Sequence, residues 1–317
     1  MFIMIPAEKK IGRLIEVAHL YYEENLTQNE IAKRLGISRP MVSVLLSEAR
    51  DSGVVTITIN RVDNAQQLVE QRLEAAFPIK SAFVIPDSRS PDDTDNAVAK
   101  AAYQYCFSEE HRWKRIGVGW GSLLGRMASF AENMDKAAPT DGNVFPLIGG
   151  IGASYRSYHT NEIVRVLSIA SGFSADYLYM PAFFDSDKEL AFARSIEAYT
   201  SLNEKWDVMD MALVNISNYP SYPDLGVEYR FDNRLTKEKA VGRVLAYYYN
   251  ISGRIIEANV DNVLQVSREQ LVKTENCVAI CSSLLKPQSV IGALAAGFIN
   301  TIFMPQTLAE QILELRS

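Results

Sequence analysis

Two helix-start signals stand close together near the N-terminus and constrain this chain more than any other feature. Thr27 lies three residues before Glu30, the Ser/Thr-x-x-Glu capping box in which each side chain satisfies the other's free backbone N–H. Ser38 precedes Arg39 and Pro40, and proline is tolerated in a first helical turn because its missing N–H has no partner there anyway. Gly36 between the two signals can take the left-handed conformation that ends a helix. Ile31, Ala32 and Leu35 then form the inward stripe of one helix, and Val42, Leu45, Leu46 and Ala49 that of the next, which runs to about Ser52. Upstream, Ile11, Leu14, Ile15, Ala18 and Tyr22 recur at the helical period, predicting a helix that ends near Asn25. After Gly53 the run Val54-Val55-Thr56-Ile57-Thr58-Ile59 is β-branched throughout and predicts a short strand packed on the helices.

Helix, glycine-containing turn, helix and strand make a helix-turn-helix, winged-helix-like unit, in which the N-terminal side chains of the last helix reach base edges in the major groove. Ser38, Arg39, Met41 and Ser43 are placed for base contact, while Gln28, Lys33 and Arg50 are placed to meet phosphates and set register. The alternative is a three-helix cap whose polar residues only solvate a surface. The chain carries a net charge of −6. Its first 60 residues balance acidic against basic side chains, so bulk attraction does not bring it to nucleic acid and any DNA contact must be local.

Beyond Asn60 the pattern changes. Short apolar runs at 82–86, 115–120, 144–149, 176–181, 211–216, 278–282 and 299–304 alternate with helical stretches at 65–77, 95–107, 122–133, 160–171, 187–202, 236–249, 286–297 and 306–315. That alternation predicts a largely parallel, Rossmann-like α/β sheet. The 317 residues exceed what one core usually supports, and the expected domains are 1–60 and 61–317. Residues 217–233, rich in Tyr, Pro and Asp, form a loop that could cover a pocket. Apolar runs fall short of a membrane span, and no export signal is read. The three cysteines, Cys106, Cys277 and Cys281, make no C-x-x-C pair, so neither a zinc site nor any other cofactor is expected and a reducing cytoplasm fits. Cys277 and Cys281 are expected as packed thiols, Trp113, Trp120 and Trp206 as core, and Tyr247-Tyr248-Tyr249 as a helix face on the sheet.

Two strand-to-helix turns are rich in small residues. Gly117, Gly119, Gly121 and Ser122 stand where a strand yields to a helix, so backbone N–H groups and the helix dipole can hold an anion. Gly149, Gly150 and Gly152 repeat the pattern after the next strand. Neither is a Walker loop or a G-x-G-x-x-G fingerprint, and close packing of helix on strand is the competing explanation.

Several stretches spread over nearly the whole chain resemble the SorC family of bacterial transcriptional regulators. They are the capped unit at 27–53, Trp120-Gly121-Ser122, Pro146 to Gly152, Tyr158-His159-Thr160-Asn161, Met180-Pro181-Ala182 and Ala295 to Asn300. The resemblance implies a C-terminal domain like the glucosamine-phosphate deaminase and ribose-phosphate isomerase folds, which binds a sugar or sugar phosphate and supports oligomerisation. It also implies that Gly121, Ser122, Gly149, Gly150, Gly152, His159 and Asn161 line the effector pocket. Three departures stand out: Ser282-Ser283-Leu284-Leu285-Lys286 where Gly-Gly-x-x-Lys is usual, Val214-Asn215-Ile216-Ser217 for Val-Gly-Ile-Gly, and Ala240-Val241-Gly242-Arg243 for Ala-Val-Gly-Asp. Small residues have become polar, which favours a neutral sugar or polyol over a sugar phosphate. Lys286 would supply a positive charge, and Asn215 and Ser217 polar groups from adjacent strand ends. A single recognition helix gains little from one half-site, so a homodimer or homotetramer on operator DNA is expected. The competing readings are a sugar-phosphate isomerase or deaminase with an added helical domain, with Asp185, Asp210 and His159 as candidate acid/base groups, and a pure oligomerisation scaffold.

Overall fold

A computed structural model of the chain describes residues 7–24, 26–52, 54–55, 64–108, 113–134, 136–152, 156–222, 224, 227–260 and 262–316. It divides into two compact units, Met1–Val62 and Asp63–Ser317.

The smaller unit holds α1 (Ala7–Tyr22), α2 (Gln28–Leu35) and α3 (Arg39–Asp51). Both start signals act as read. Thr27 N donates to Glu30 Oε2 at 2.8 Å while Glu30 N donates back to Thr27 Oγ1 at 3.4 Å, and Met41 N donates to Ser38 Oγ at 3.4 Å. Gly36 ends α2 at φ 64°. Leu14, Val17, Ala18 and Leu20 meet Ile31, Val42, Leu45, Leu46 and Ala49 in one core. The phase expected for α1 is corrected here: Ile11 and Ile15 are 53% and 54% exposed. Apolar residues at 11 and 15 and at 14, 17 and 18 both fit a helical period, and α2 and α3 pack on the second set. Val54 and Val55 form no strand; Val55 N donates to Ala49 O and turns the chain back on α3. The rest of that expected strand lies outside the described residues.

In the larger unit β1 (Ser81–Ile85), β2 (Arg115–Val118), β3 (Asn143–Pro146), β4 (Ser174–Ala175), β5 (Met211–Asn218), β8 (Asn276–Ile280) and β9 (Thr301–Pro305) form a parallel sheet in the order β1-β9-β8-β5-β2-β3-β4. Side chains alternate across it. Ala212, Val214 and Ile216 face a core shared with α4 (Asn64–Ala76), α12 (Pro287–Ala295) and α13 (Gln306–Glu314). Met211 and Leu213 face the other way, toward α5 (Pro91–Cys106), α6 (Ser122–Glu132) and α7 (Thr160–Ser171). From β2 the chain moves outward to β3, whereas β8 follows β5 on the opposite side, so the two neighbours β2 and β5 flank the topological switch point. In open α/β sheets the crevice beyond the carboxyl ends at such a point is where ligands bind.

Four expectations change. Residues 236–249 are not a helix: after a single turn, α10 (Arg234–Lys237), they form the hairpin β6 (Ala240–Val244) and β7 (Tyr247–Asn250). Val241, Val244, Leu245 and Tyr248 mimic a helical stripe, yet the β-branched and aromatic residues complete the free end of β5, with Ser217 opposite Arg243 and Ile216 opposite Val244. Tyr247-Tyr248-Tyr249 therefore lies on a strand. The run 176–181 is not a strand: β4 ends before it at Ala175, and the segment leaves β3 and meets Gly150 again only through a bridge at Pro181. The helix expected at 187–202 is two, α8 (Asp187–Ser195) and α9 (Glu197–Asp207). A further helix, α11 (Arg268–Lys273), which the sequence reading passed over, opens on a capping box between Ser267 and Gln270.

Candidate functional site

On the smaller unit Ser38, Arg39, Met41, Ser43 and Lys33 are all exposed, and Gln28 is half-buried. Gln28 and Arg39 line one cleft of about 590 Å³ with Tyr21, Tyr22, Thr27 and Asn29. Arg50 is less available than expected: its Nη1 donates to Tyr22 Oη at 3.3 Å, tying α3 to α1. Sequence reasoning passed over Val44, exposed beside Met41 on the outer face of α3. An apolar residue out of phase with the buried stripe was the available signal, and such a side chain suits a thymine methyl.

In the larger unit Gly121 caps α6 at φ 126° and ψ 171°, a region open essentially to glycine alone. No side chain caps that helix end. A Cβ on Gly121 would stand 2.2 Å from Asn215 Oδ1, so the start of α6 and the end of β5 touch directly at the switch point. Asn215 Nδ2 donates to Ser217 Oγ at 3.3 Å. Gly121, Ser122, Asn215 and Ser217 are thus brought together, but the space between them is filled by the Asn215 amide rather than open.

Other expected effector residues are spent on the fold. Gly149 N donates to Leu264 O at 2.9 Å and Gly150 N to Met180 O at 2.7 Å, so neither N–H is left for a ligand. They do not open a helix either, since α7 begins only at Thr160. The Asn161 amide clamps the backbone of Leu178, donating to its carbonyl and accepting from its N–H, each at 3.1 Å. Gly152 is exposed and His159, at the N-cap of α7, is half-buried. Lys286 is exposed at the N-cap of α12, and its N–H donates to Asn218 Oδ1 at 2.9 Å, which sets it at the rim of β5. Asp95 holds the preceding turn through Ser282 Oγ and Ser283 N, both at 2.7 Å.

Sequence reasoning missed the groups that crowd this edge most closely. Trp120 is 1% exposed, as core was expected to be, but its Nε1 has no hydrogen-bond partner. Arg243 is 4% exposed and its guanidinium carbon lies 6.0 Å from the centre of the Trp120 ring. Its Nη1 donates to the carbonyl of Leu245 at 2.9 Å. Leu245 has φ 52°, a strained conformation of the kind concentrated at functional sites. Asp224, from the 217–233 stretch, lies 3.4 Å from Arg243 Nε and accepts the Tyr248 hydroxyl at 2.5 and 2.6 Å. Burial pushes the Tyr249 hydroxyl well above its usual range, Cys281 adds to that rise and Arg243 opposes it.

The three candidate acid/base groups stand apart. Asp210 lies at the amino end of the sheet, where its carboxylate accepts from the Lys114 and Arg115 N–H groups and from the Arg115 guanidinium. Asp185 is exposed beside an apolar cleft of about 720 Å³ lined by Tyr179, Phe183, Phe184 and Phe192. His159 is on α7. Among the described residues, no three His, Cys, Asp or Glu side chains are grouped to hold a metal ion, and no helix is long and apolar enough to cross a membrane.

Residues 62–314 match the family described as "putative sugar-binding domain", and 15–52 match sigma-70 region 4. The chain is 26% identical to the sorbitol operon regulator of Klebsiella pneumoniae over 96% of its own length and 98% of the relative's. It is 25% identical to the deoxyribonucleoside regulator of Bacillus subtilis, over 94% and 96%. The crystal structure of the full-length Klebsiella sorbitol operon regulator SorC superposes with a TM-score of 0.82 at 24% identity, covering 96% of this chain and 98% of that one. The capped helix-turn-helix, the parallel sheet and these likenesses over nearly its whole length agree: the chain belongs to the SorC family of sugar-binding bacterial transcriptional regulators.

Proposed function

We propose that the chain binds operator DNA through residues 1–60 and that a sugar-type effector, bound by residues 61–317 at the β2–β5 switch point, controls that binding. The observation that carries this reading is one chain holding both an exposed, capped α3 and a sheet edge where buried polar groups converge. Ser38, Arg39, Met41 and Ser43 read bases, and Gln28 and Lys33 position the unit on phosphates, with Arg50 a weaker contact because Tyr22 engages it. Gly121, Ser122, Asn215 and Ser217 form the effector-contacting set, with Lys286 and His159 at its margin. The relatives are named as regulators of sorbitol and deoxyribonucleoside genes, which supports a carbohydrate catabolic operon as the target and a regulator rather than an isomerase as the activity.

The protein works as a homodimer or homotetramer in the cytoplasm, because one α3 per chain requires a second copy to read a two-fold operator. Selection of genomic fragments by the full-length protein, followed by fluorescence anisotropy with and without pentoses, hexoses, hexitols and their phosphates, tests the proposal. A preferred site whose affinity shifts with at least one of these compounds is expected. No preferred site, or a site indifferent to all of them, overturns it. Light scattering that reports a monomer with and without the selected DNA overturns the assembly.

A further inference from the structure

Six buried side-chain polar atoms among the described residues have no hydrogen-bond partner, and four of them cluster at the switch point: Trp120 Nε1, Asn215 Oδ1, Arg243 Nε and Tyr249 Oη. Leaving a buried polar atom unpaired is costly in a folded protein, so four on touching elements call for an explanation beyond packing. Their contiguity is geometric. Trp120 adjoins Gly121, which abuts Asn215; Asn215 bonds Ser217; Ser217 pairs with Arg243 across β5 and β6; and a Cβ on Gly242 would lie 2.9 Å from Tyr249 Oη.

We propose that Arg243 is the receptor for an anionic group on the effector and that Asp224 competes with the effector for it. This rests on the switch point being the effector site. Arg243 and Asp224 are 4% and 12% exposed, and a buried guanidinium is stable only beside an anion. Yet the pairing is loose. The Nε–Oδ1 separation of 3.4 Å exceeds the roughly 2.7–2.9 Å of a charge-assisted hydrogen bond, Nε–H is left unbonded, and both Asp224 oxygens accept from Tyr248 instead. Arg243 sits on a strand whose partner fixes it, whereas Asp224 belongs to no helix or strand. An incoming carboxylate or phosphate can therefore take the Nε–H while Asp224 withdraws and Arg243 stays. Trp120 Nε1 is then a donor, and Asn215 Oδ1 an acceptor, for hydroxyls on the same ligand. The class selected is a polyhydroxylated compound bearing one carboxylate or phosphate, not the neutral sugar or polyol that the loss of glycines favours.

Calorimetric titration of the full-length chain with inorganic phosphate, and with a hexose, its 6-phosphate and its aldonic acid, tests this. Asp224→Asn removes the competing charge and leaves an acceptor for Tyr248, and it should tighten phosphate about tenfold. Arg243→Lys keeps a cation and should bind about tenfold more weakly than wild type, and Arg243→Gln should show no saturable phosphate binding. Preference for the 6-phosphate or for the aldonic acid identifies which anion the effector carries, and either supports the proposal. It is overturned if Asp224→Asn stays within about twofold of wild type, if none of these proteins binds phosphate saturably, or if the neutral hexose binds as tightly as its anionic derivatives. DNA release by a neutral sugar, with phosphate binding unaffected by Asp224→Asn, would remove this inference while leaving the regulatory reading in place.

Discussion

Substituting Gly121 by alanine tests the geometry on which the effector site depends. At φ 126° and ψ 171° an L-residue pays about 1–3 kcal/mol in backbone strain. The new Cβ would also sit 2.2, 2.7 and 2.8 Å from the three outer atoms of the Asn215 amide, closer than any real contact, and forcing such a side chain aside costs a further ~1–3 kcal/mol. Gly121→Ala should therefore destabilise the larger unit by about 2–6 kcal/mol in all. Urea unfolding followed by tryptophan fluorescence is a clean readout, because Trp113, Trp120 and Trp206 all lie in that unit. The double variant Gly121→Ala/Asn215→Ala removes the obstruction but not the strain, so it should regain the steric share of about 1–3 kcal/mol. Asn215→Ala alone should cost only about 0.5–1.5 kcal/mol, since its unpartnered Oδ1 has no hydrogen bond to lose and only the Nδ2 donation to Ser217 Oγ goes. A Gly121→Ala protein within roughly 0.5 kcal/mol of wild type, or a double variant no more stable than the single, would refute the reasoning.

Three further outcomes are expected. Arg39→Ala should weaken specific DNA binding by about 1–3 kcal/mol and relax base preference, whereas Lys33→Ala should weaken all sequences alike and lower the salt slope by about one; equal effects on specific and random DNA for both would contradict the assignment. For Asp210, burial works to raise the carboxyl's pKa, but the Arg115 guanidinium and the Lys114 and Arg115 N–H groups outweigh it and hold it below the usual range. A depressed folded pKa contributes stability above the unfolded value of about 3.9 and loses it as pH falls through the folded one. The Tm gap between wild type and Asp210→Asn should therefore be full near neutrality and close below about pH 4, and a gap that widens on acidification would count against it. Burial pushes the Cys277 thiol up to about 12, so iodoacetamide at mildly alkaline pH should label it only after unfolding; rapid labelling of the native protein would show that the strand is open.

The sequence was most legible where one residue type has one structural use. Thr27, Glu30, Gly36, Ser38 and Pro40 each act as a cap or stop, and the three helices of the smaller unit follow from them. Periodicity was weaker evidence. At 241, 244, 245 and 248 apolar spacing imitates a helix, and only the unpaired end of β5 decides for a hairpin. The same limit applies to the site. Gly121 announces itself because no other residue suits that turn, but whether the N–H groups of Gly149 and Gly150 are free depends on Leu264 and Met180, far away in sequence. Asn161 looked like a ligand contact and proves to be a clamp on Leu178. Arg243 stood out as a departure from the family pattern. That it is buried against Trp120 and Asp224 follows only from the β5–β6–β7 pairing and from where Asp224 comes to lie.

The central claim is that effector and operator bind the same molecule and bias each other. Linkage requires the factor by which a ligand changes DNA affinity to equal the factor by which DNA changes that ligand's affinity. The most direct measurement takes the selected operator fragment and an anionic sugar derivative that binds the full-length protein, and determines all four affinities by anisotropy and calorimetry. Both factors should agree and fall in the range of about 5–150-fold. A ligand that binds saturably at the switch point while both factors equal one would contradict it.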